Sequence, residues 1–143
     1  MGSGKERAGR NRTISLSPGE EKSYLRRCVN TKNMLDALNI KNSIILDDCF
    51  NVFPCLPDKF VDLLIVDPPY NLEKIYSAST FRKMDSGSYE AFTRKWIRGL
   101  LHTLKETASI YVCSDWRTSL LIGKVLGEFF IIQNRLGMKA GDS

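Results

Sequence analysis

The residues of greatest chemical interest lie together at the end of an apolar run. Val61–Val66 is followed at once by Asp67-Pro68-Pro69-Tyr70. Two consecutive prolines cannot continue a central strand, so the strand must end there in a rigid turn. Asp67 offers a carboxylate acceptor, the Pro68 carbonyl offers a second acceptor, and Tyr70 offers an aromatic face. The alternative interpretation is a purely structural turn, with Tyr70 packed on the surface.

Three short apolar runs are predicted to be strands, at Ile44–Leu46, Val61–Val66 and Ala108–Cys113. Apolar residues at helical spacing predict amphipathic helices from Tyr89 to Leu104 and from Leu120 to Phe130. Strands that alternate with helices predict an α/β fold with a mostly parallel sheet and helices on both faces. Trp96 shares its helical face with Phe92 and Leu100, which favours a place in the core.

Acidic residues follow each predicted strand. In open parallel sheets, ligands bind beyond the carboxyl ends of the strands. The sequence therefore predicts one edge that carries Asp47, Asp48, Asp67 and Asp115. Asp47 and Asp115 are explained equally well as helix caps or turn residues.

The flanks of the chain differ from its middle. Residues 1–16 are small, polar and basic, which predicts a disordered tail, and residues 136–143 are predicted to be a second tail. Residues 17–135 are predicted to be the folded domain. Ser17-Pro18-Gly19-Glu20 has the pattern of a capping box, which predicts a helix start. Gly123 and Gly127 lie inside an apolar helical pattern, which favours close helix packing.

The motif and its surroundings resemble a known enzyme family. Val66-Asp67-Pro68-Pro69-Tyr70-Asn71 resembles motif IV, the D-P-P-Y signature of methyltransferases that modify the exocyclic amino group of adenine or cytosine in DNA. The approach through Leu46-Asp47-Asp48-Cys49 and Val61-Asp62-Leu63-Leu64 resembles that of the permuted, beta-type members. Asp47 replaces the glycine that commonly stands there. The resemblance runs from about Ser43 to about Ile132 and implies an incomplete, partly Rossmann-like methyltransferase fold.

The resemblance implies S-adenosylmethionine as cofactor and DNA as partner, with adenine N6 as the target and cytosine N4 as the alternative. An exocyclic amine is a poor nucleophile because its lone pair is delocalised into the ring. Acceptors for its hydrogens and a carboxylate near the developing positive charge would assist attack on the methyl group. The implied catalytic residues are Asp67, Pro68, Pro69 and Tyr70, the last stacking on a flipped base, and the implied cofactor contacts are Asp48, Cys49 and Asp67.

A largely polar loop is predicted from Asn71 to Gly87. Its cations and aromatic residues suit phosphate contact and the filling of space that a flipped base leaves. Nucleic-acid contacts are predicted at Asn71, Lys74, Arg82 and Lys83. A solvated loop without a ligand is the alternative.

One part of the family pattern is missing from the sequence. The glycine-bearing motif that holds the methionine end of the cofactor, typically an aromatic residue followed by Gly-x-Gly, does not occur. We therefore expect a fragment, a split subunit or a degenerate relative. A fragment or split subunit would expose apolar surface, so self-association is expected, or a second chain that carries this motif and the target-recognition region.

Composition excludes several other classes of protein. No apolar run approaches the roughly 20 residues of a membrane span, no secretory signal is present, and a cytoplasmic location is expected. The four cysteines form no C-x-x-C pair, so no metal site is predicted and all four are expected in or near the core. The net charge of +5 suits a polyanionic partner only weakly. One competing hypothesis is a non-catalytic DNA-binding or scaffolding subunit. Another is a protein glutamine methyltransferase, and the basic loop and Asp67 disfavour this second hypothesis.

Overall fold

The computed structural model of the chain describes residues 16–29, 34–75 and 80–137, without the side chains of residues 74, 75 and 80. Most of the predicted tail at residues 1–16 and the end of the second tail lie outside these ranges. The helices are α1 (Pro18–Leu25), α2 (Ala37–Ile40), α3 (Cys49–Val52), α4 (Ser86–Leu100) and α5 (Ser119–Leu126), with short 3₁₀ turns at Phe53–Cys55 and Leu101–Thr103. The strands are β1 (Val61–Val66), β2 (Lys74–Ile75), β3 (Thr80–Phe81) and β4 (Leu104–Val112).

The central sheet consists of β1 and β4, which pair in parallel. Leu64 is opposite Ile110 and Val66 is opposite Val112, so the two strands end together. The crossover between them contains α4 and a small antiparallel hairpin of β2 and β3. The predicted α/β class and the parallel pairing are confirmed, and β1 has the predicted bounds.

One face of this sheet is covered by α4 and α5. Trp96, Ile97 and Leu100 of α4 form a buried cluster with Val125 of α5, as predicted for Trp96. Side chains of alternate strand residues pack against this cluster, together with aromatic residues of the preceding and following turns: Leu64, Val66, Val112, Phe50, Phe53, Phe129 and Phe130. The core of the described chain therefore lies between the sheet and these two helices.

The opposite face of the sheet is open in the described residues. Leu63 is 54% exposed, Ile65 66% and Tyr111 53%, so apolar side chains alternate between a packed face and a bare one. The prediction of helices on both faces is met on one face of the described structure only. A strand buried on both faces would need a second covering layer, which the described residues do not supply.

The N-terminal segments are largely exposed. The predicted capping box is confirmed, because the Ser17 hydroxyl accepts from the Glu20 backbone and the Glu20 carboxylate accepts from the Ser17 backbone, yet α1 buries no residue. The predicted strand at Ile44–Leu46 is wrong. Ile45 forms a single parallel bridge to Val29, and Ile44 and Leu46 are exposed. A strand needs a continuous neighbour to form a ladder, and among the described residues this segment has one bridge.

Helix α4 has a side-chain cap at its start and ends before the residue that the sequence predicts. The Asp85 carboxylate caps it by accepting from the Ser88 N–H at 3.0 Å. The helix ends at Leu100, and Leu104 begins β4 rather than extending the helix as predicted. Within α4, Gly99 lies against Phe53, because a methyl group added there would come within 2.5 Å of the Phe53 ring.

The glycines of α5 do not behave as predicted. A methyl group on Gly123 would meet no atom within 4 Å, so close helix packing is the wrong explanation for this residue. Gly127 caps the end of α5, where its N–H donates to the Gly123 carbonyl. The close approach that a glycine permits occurs instead at Gly99.

The cysteines are less buried than predicted. Cys28 and Cys55 are half-buried, but Cys49 and Cys113 are exposed, so the prediction of core positions is wrong for the last two. Both lie at the ends of elements, Cys49 at the start of α3 and Cys113 directly after β4. None of the helices in the described ranges is long and apolar enough to cross a membrane.

Candidate active site

The carboxyl ends of β1 and β4 form one edge. The Cys113 N–H donates to the Val66 carbonyl at 2.8 Å, which extends the parallel ladder one residue beyond the two strands. Asp67 follows β1 directly, and Asp115 lies three residues beyond the end of β4. The two carboxylates therefore lie at the same edge of the sheet, as the sequence predicts.

The turn after β1 presents its residues unequally. Asp67 is exposed, Pro68 is buried, and Pro69 and Tyr70 are half-buried. Burial raises the pKa of the Tyr70 hydroxyl above its ordinary value. A hydrogen bond to Asp67 and the negative charge of that residue raise this pKa as well. Cys113 and the negative charge of Asp115 raise this pKa further. Tyr70 is thus neutral at neutral pH, beside an exposed carboxylate.

A buried hydroxyl group of α4 forms a hydrogen bond with the turn at this edge. Tyr89 of α4 is fully buried, and its hydroxyl donates to the Pro69 carbonyl at 3.0 Å. Burial raises the pKa of Tyr89, and the negative charge of Asp115 adds to the effect. The sequence assigned Tyr89 to the apolar face of the helix and gave no sign of this hydrogen bond, which spans 20 residues.

Asp115 stabilises the turn that precedes α5. Its carboxylate accepts from both the backbone N–H and the hydroxyl of Thr118, and the backbone carbonyl of Asp115 accepts from Ser119. The hydrogen bond from the Thr118 hydroxyl is the main reason that the pKa of Asp115 is lowered, so this residue is a carboxylate at neutral pH. The structure bears out the turn interpretation of Asp115.

Asp48 and Cys49, the other predicted cofactor residues, lie in a different local structure. Asp48 caps α3 by accepting from the Phe50 N–H at 2.8 Å. Partial burial raises the pKa of the Cys49 thiol, and the charge of Asp48 adds to this. The segment before them bridges to Val29 and not, within the described ranges, to β1. The parallel sheet therefore brings Asp67 and Asp115 together without Asp47 or Asp48.

The predicted nucleic-acid residues fall into three groups. The side-chain amide of Asn71 is held by Met84: its nitrogen donates to the Met84 carbonyl at 2.8 Å, and its oxygen accepts from the Met84 N–H at 2.7 Å. Arg82 and Lys83 are exposed. Lys74 begins β2, and its side chain lies outside the described part of the structure.

The described parts of the predicted long loop contain regular structure. It contains the β2–β3 hairpin and is closed at its base by the bond pair between Asn71 and Met84. Phe81 packs edge-on against Phe92 of α4, with ring centroids 5.9 Å apart. The Phe81 ring is therefore committed to the helix, while Arg82 and Lys83 project from the same segment.

The described residues at this edge include polar and aromatic groups but no enclosed pocket for a cofactor. They place an exposed carboxylate and an aromatic residue at the sheet edge, but no glycine-rich turn accompanies them. A small cavity lined by Leu64, Trp96, Ile97, Leu100, Leu104, Ile110 and Phe130 lies in the apolar core and suits no polar cofactor. No group of three or more potential metal ligands occurs among the residues that the structure describes. The described edge therefore presents an exposed carboxylate and a half-buried aromatic ring, without an enclosed polar cavity beside them.

Comparison with known proteins finds similarity to one class of enzyme. No protein-family model matches the chain. The chain is 29% identical to the Type II methyltransferase M.BamHI of Bacillus amyloliquefaciens, in a match that covers 64% of this chain and 27% of that protein. It is also 29% identical to the Type II methyltransferase M.HpaI of Haemophilus parainfluenzae, with 59% of this chain and 27% of that protein covered. The chain is thus similar to Type II methyltransferases and spans about a quarter of the length of these two relatives.

Proposed function

We propose that this chain is the catalytic-motif part of an S-adenosylmethionine-dependent DNA methyltransferase that modifies the exocyclic amine of adenine at N6. The observation that carries the proposal is the exposed Asp67 carboxylate on a double-proline turn, at the edge of a parallel sheet and beside Tyr70. Similarity to two Type II methyltransferases supports the same reaction class.

Asp67 is the principal acceptor in this mechanism. Its exposed carboxylate accepts a hydrogen bond from the target amine, which lets electron density return from the ring to the nitrogen. S-adenosylmethionine, when bound, supplies an electrophilic methyl group on a positively charged sulfur. As the nitrogen acquires positive charge, the fixed negative charge of Asp67 stabilises it without reorganisation. As the bond from nitrogen to the methyl group forms, the bond from that methyl group to the cofactor sulfur would break and leave a neutral thioether, and the amine would give up one proton to the exposed Asp67 carboxylate or to water.

The remaining motif residues orient the base. The Pro68 carbonyl is the second acceptor, although Pro68 is buried and the more accessible acceptor is Asp67. Tyr70 provides a neutral ring on which a flipped base stacks, an interaction worth about 1–3 kcal/mol per base. Asp48 and Cys49 remain proposed cofactor contacts, and Lys74, Arg82 and Lys83 remain proposed phosphate contacts. The side-chain amide of Asn71 already bonds to the Met84 backbone, so Asn71 would contact nucleic acid only through its other atoms.

The site is completed by further polypeptide in this proposal. The open face of the sheet, defined by Leu63, Ile65 and Tyr111, exposes apolar surface at strands that end in the motif. Apolar surface of this kind is typical of an interface. A continuing segment or a second chain would cover it and carry the missing glycine motif and target-recognition region, whereas a second copy of this chain would cover it without supplying that motif. We call this chain with its completing polypeptide the complete enzyme.

Replacement of Asp67 tests the proposal. Asp67→Ala should lower kcat of the complete enzyme by at least about 100-fold, because the charge that stabilises the transition state is lost. The melting temperature should stay within a few degrees, since the residue is exposed. Asp58→Ala, at the exposed turn before β1, is the matched control and should retain activity.

The outcome separates two functions. Retained methyl transfer in Asp67→Ala would contradict the assigned role. Absence of transfer by the wild type, combined with salt-dependent DNA binding, would favour the non-catalytic scaffolding subunit, which the missing glycine motif supports.

A further inference from the structure

Tyr70 is held on both sides by the first turns of α4. On one side, the Pro69 carbonyl accepts from the Tyr89 hydroxyl at 3.0 Å. On the other side, the Asn71 amide makes its two hydrogen bonds to the backbone of Met84, the residue that precedes the Asp85 cap of α4. The start of one helix therefore fixes the chain immediately before and immediately after the proposed stacking residue.

The turn needs anchors from outside because of its composition. Pro68 and Pro69 have no backbone N–H, so neither residue can donate a hydrogen bond that would hold the turn. Their carbonyls are acceptors only, and a half-buried carbonyl without a donor is costly. The Tyr89 hydroxyl supplies a donor for Pro69 from a fully buried side chain.

Tyr89 is itself fixed by its surroundings. Its ring stacks with that of Phe92 at a centroid distance of 6.0 Å, and its backbone carbonyl accepts from the Thr93 hydroxyl at 2.8 Å. Nearer α5, the buried Thr118 donates through its hydroxyl to Asp115, which follows the end of β4. The Tyr89 hydroxyl thus joins the turn after β1 to α4 from a fully buried, packed side chain.

We propose that Tyr89 is a positioning residue for methyl transfer, acting through its hydrogen bond to Pro69 to fix Asp67 and Tyr70 against the target base, with Asn71 as the second anchor. The claim that this affects catalysis rests on the proposed function. Misplacement of a reacting group by about 1 Å can cost roughly 100-fold in rate, so a donor that holds the turn has leverage on kcat. Asn71 then acts through Met84 and the loop base.

Tyr89→Phe is the direct test, because it removes the hydroxyl and keeps the buried ring. Hydrogen exchange, measured by mass spectrometry on this chain alone, should become faster at Leu72 and Met84, whose N–H groups bond to Tyr70 and Asn71. Exchange in β4 should be unchanged. In the complete enzyme, kcat should fall roughly 10- to 100-fold while KM for S-adenosylmethionine stays within about twofold.

Two further variants make the test decisive. Tyr24→Phe removes a hydroxyl from an exposed tyrosine of α1 and should leave both exchange and kcat unchanged. Asn71→Ala should raise exchange at Met84, since the acceptor for its N–H is lost. Unchanged exchange at Leu72 and Met84 in Tyr89→Phe would overturn the proposal, as would faster exchange spread equally over β4.

The proposed function and this inference can fail separately. If the wild-type complete enzyme transfers no methyl group to DNA, the proposed function fails, whereas the exchange data still decide whether Tyr89 holds the turn. If methyl transfer occurs and Tyr89→Phe retains wild-type kcat, the positioning role is wrong and the proposed function stands.

Discussion

The two faces of the β1–β4 sheet have similar residues and different surroundings. On the covered face, Leu64, Val66 and Val112 pack against Trp96, Ile97 and Val125. On the open face, Leu63, Ile65 and Tyr111 remain more than half exposed. Because residues of equal apolar character alternate along the same strands, the difference comes from the neighbours that the chain supplies. In the part of the chain that the structure describes, the sheet is packed on one face and exposed on the other.

The largest expected effect is a difference in folding stability between replacing Ile97, which packs against the covered face, and replacing Ile65 on the open face. Ile97→Ala, at a residue 1% exposed, should lower the free energy of unfolding by about 2–5 kcal/mol through lost burial and a cavity. Ile65→Ala, at a residue 66% exposed, should cost less than about 1 kcal/mol in this chain. Urea unfolding of both variants checks the contrast.

The same pair sharpens the comparison in the complete enzyme. If further polypeptide covers the open face, Ile65→Ala should become more costly there than in this chain, while the cost of Ile97→Ala stays similar. An equal, small cost of Ile65→Ala in both would contradict a covered open face.

A smaller effect distinguishes the two helices of the covered face. Gly99→Ala should destabilise the chain by about 1–3 kcal/mol, because the added methyl group would come within 2.5 Å of Phe53. Gly123→Ala meets no atom within 4 Å and should stabilise the chain by about 0.5–1 kcal/mol through helix propensity. Thermal unfolding with opposite signs for the two variants is the expected result, and stabilisation by Gly99→Ala would refute the close approach.

The smallest effect concerns the ion pairs that join α4 to α5. Lys124 and Arg94 lower the pKa of Glu90, so its stabilising contribution is present above the unfolded value of about 4.3 and is lost as pH falls through the lowered folded value. Glu90→Gln should therefore melt below the wild type at pH 7, and the difference should disappear as pH falls through the lowered pKa of Glu90 in the folded chain. Glu21→Gln, at an exposed glutamate of α1, is the control. A difference that persists at low pH would exclude the ion pairs as its cause.

Sequence patterns predicted those elements that find partners within the chain. Val61–Val66 became a strand because β4 pairs with it and α4 covers it. Ile44–Leu46 has the same apolar character but meets only Val29, and its predicted strand does not form in the described structure. Periodicity reports which residues prefer burial, and it does not report whether a neighbour is present to bury them.

The sequence located the residues of the candidate site, but it did not predict the hydrogen bonds that hold them in place. Local sequence located Asp67 and Tyr70 at a strand end, because the double proline stops the strand there. The hydrogen bond from Tyr89 to Pro69 joins residues far apart in sequence, and helical spacing marks Tyr89 only as a buried ring. The Asn71 amide has the chemistry of a base contact, yet tertiary structure directs both of its polar atoms to Met84.

The central claim is tested most directly by the chemical product. The complete enzyme should be incubated with genomic DNA and S-adenosylmethionine carrying a labelled methyl group, and the digested nucleosides identified by mass spectrometry. The account predicts labelled N6-methyldeoxyadenosine. Labelled N4-methyldeoxycytidine would contradict the assigned target while retaining the reaction class, and label found only on protein glutamine, or on no base, would contradict DNA amino-methylation.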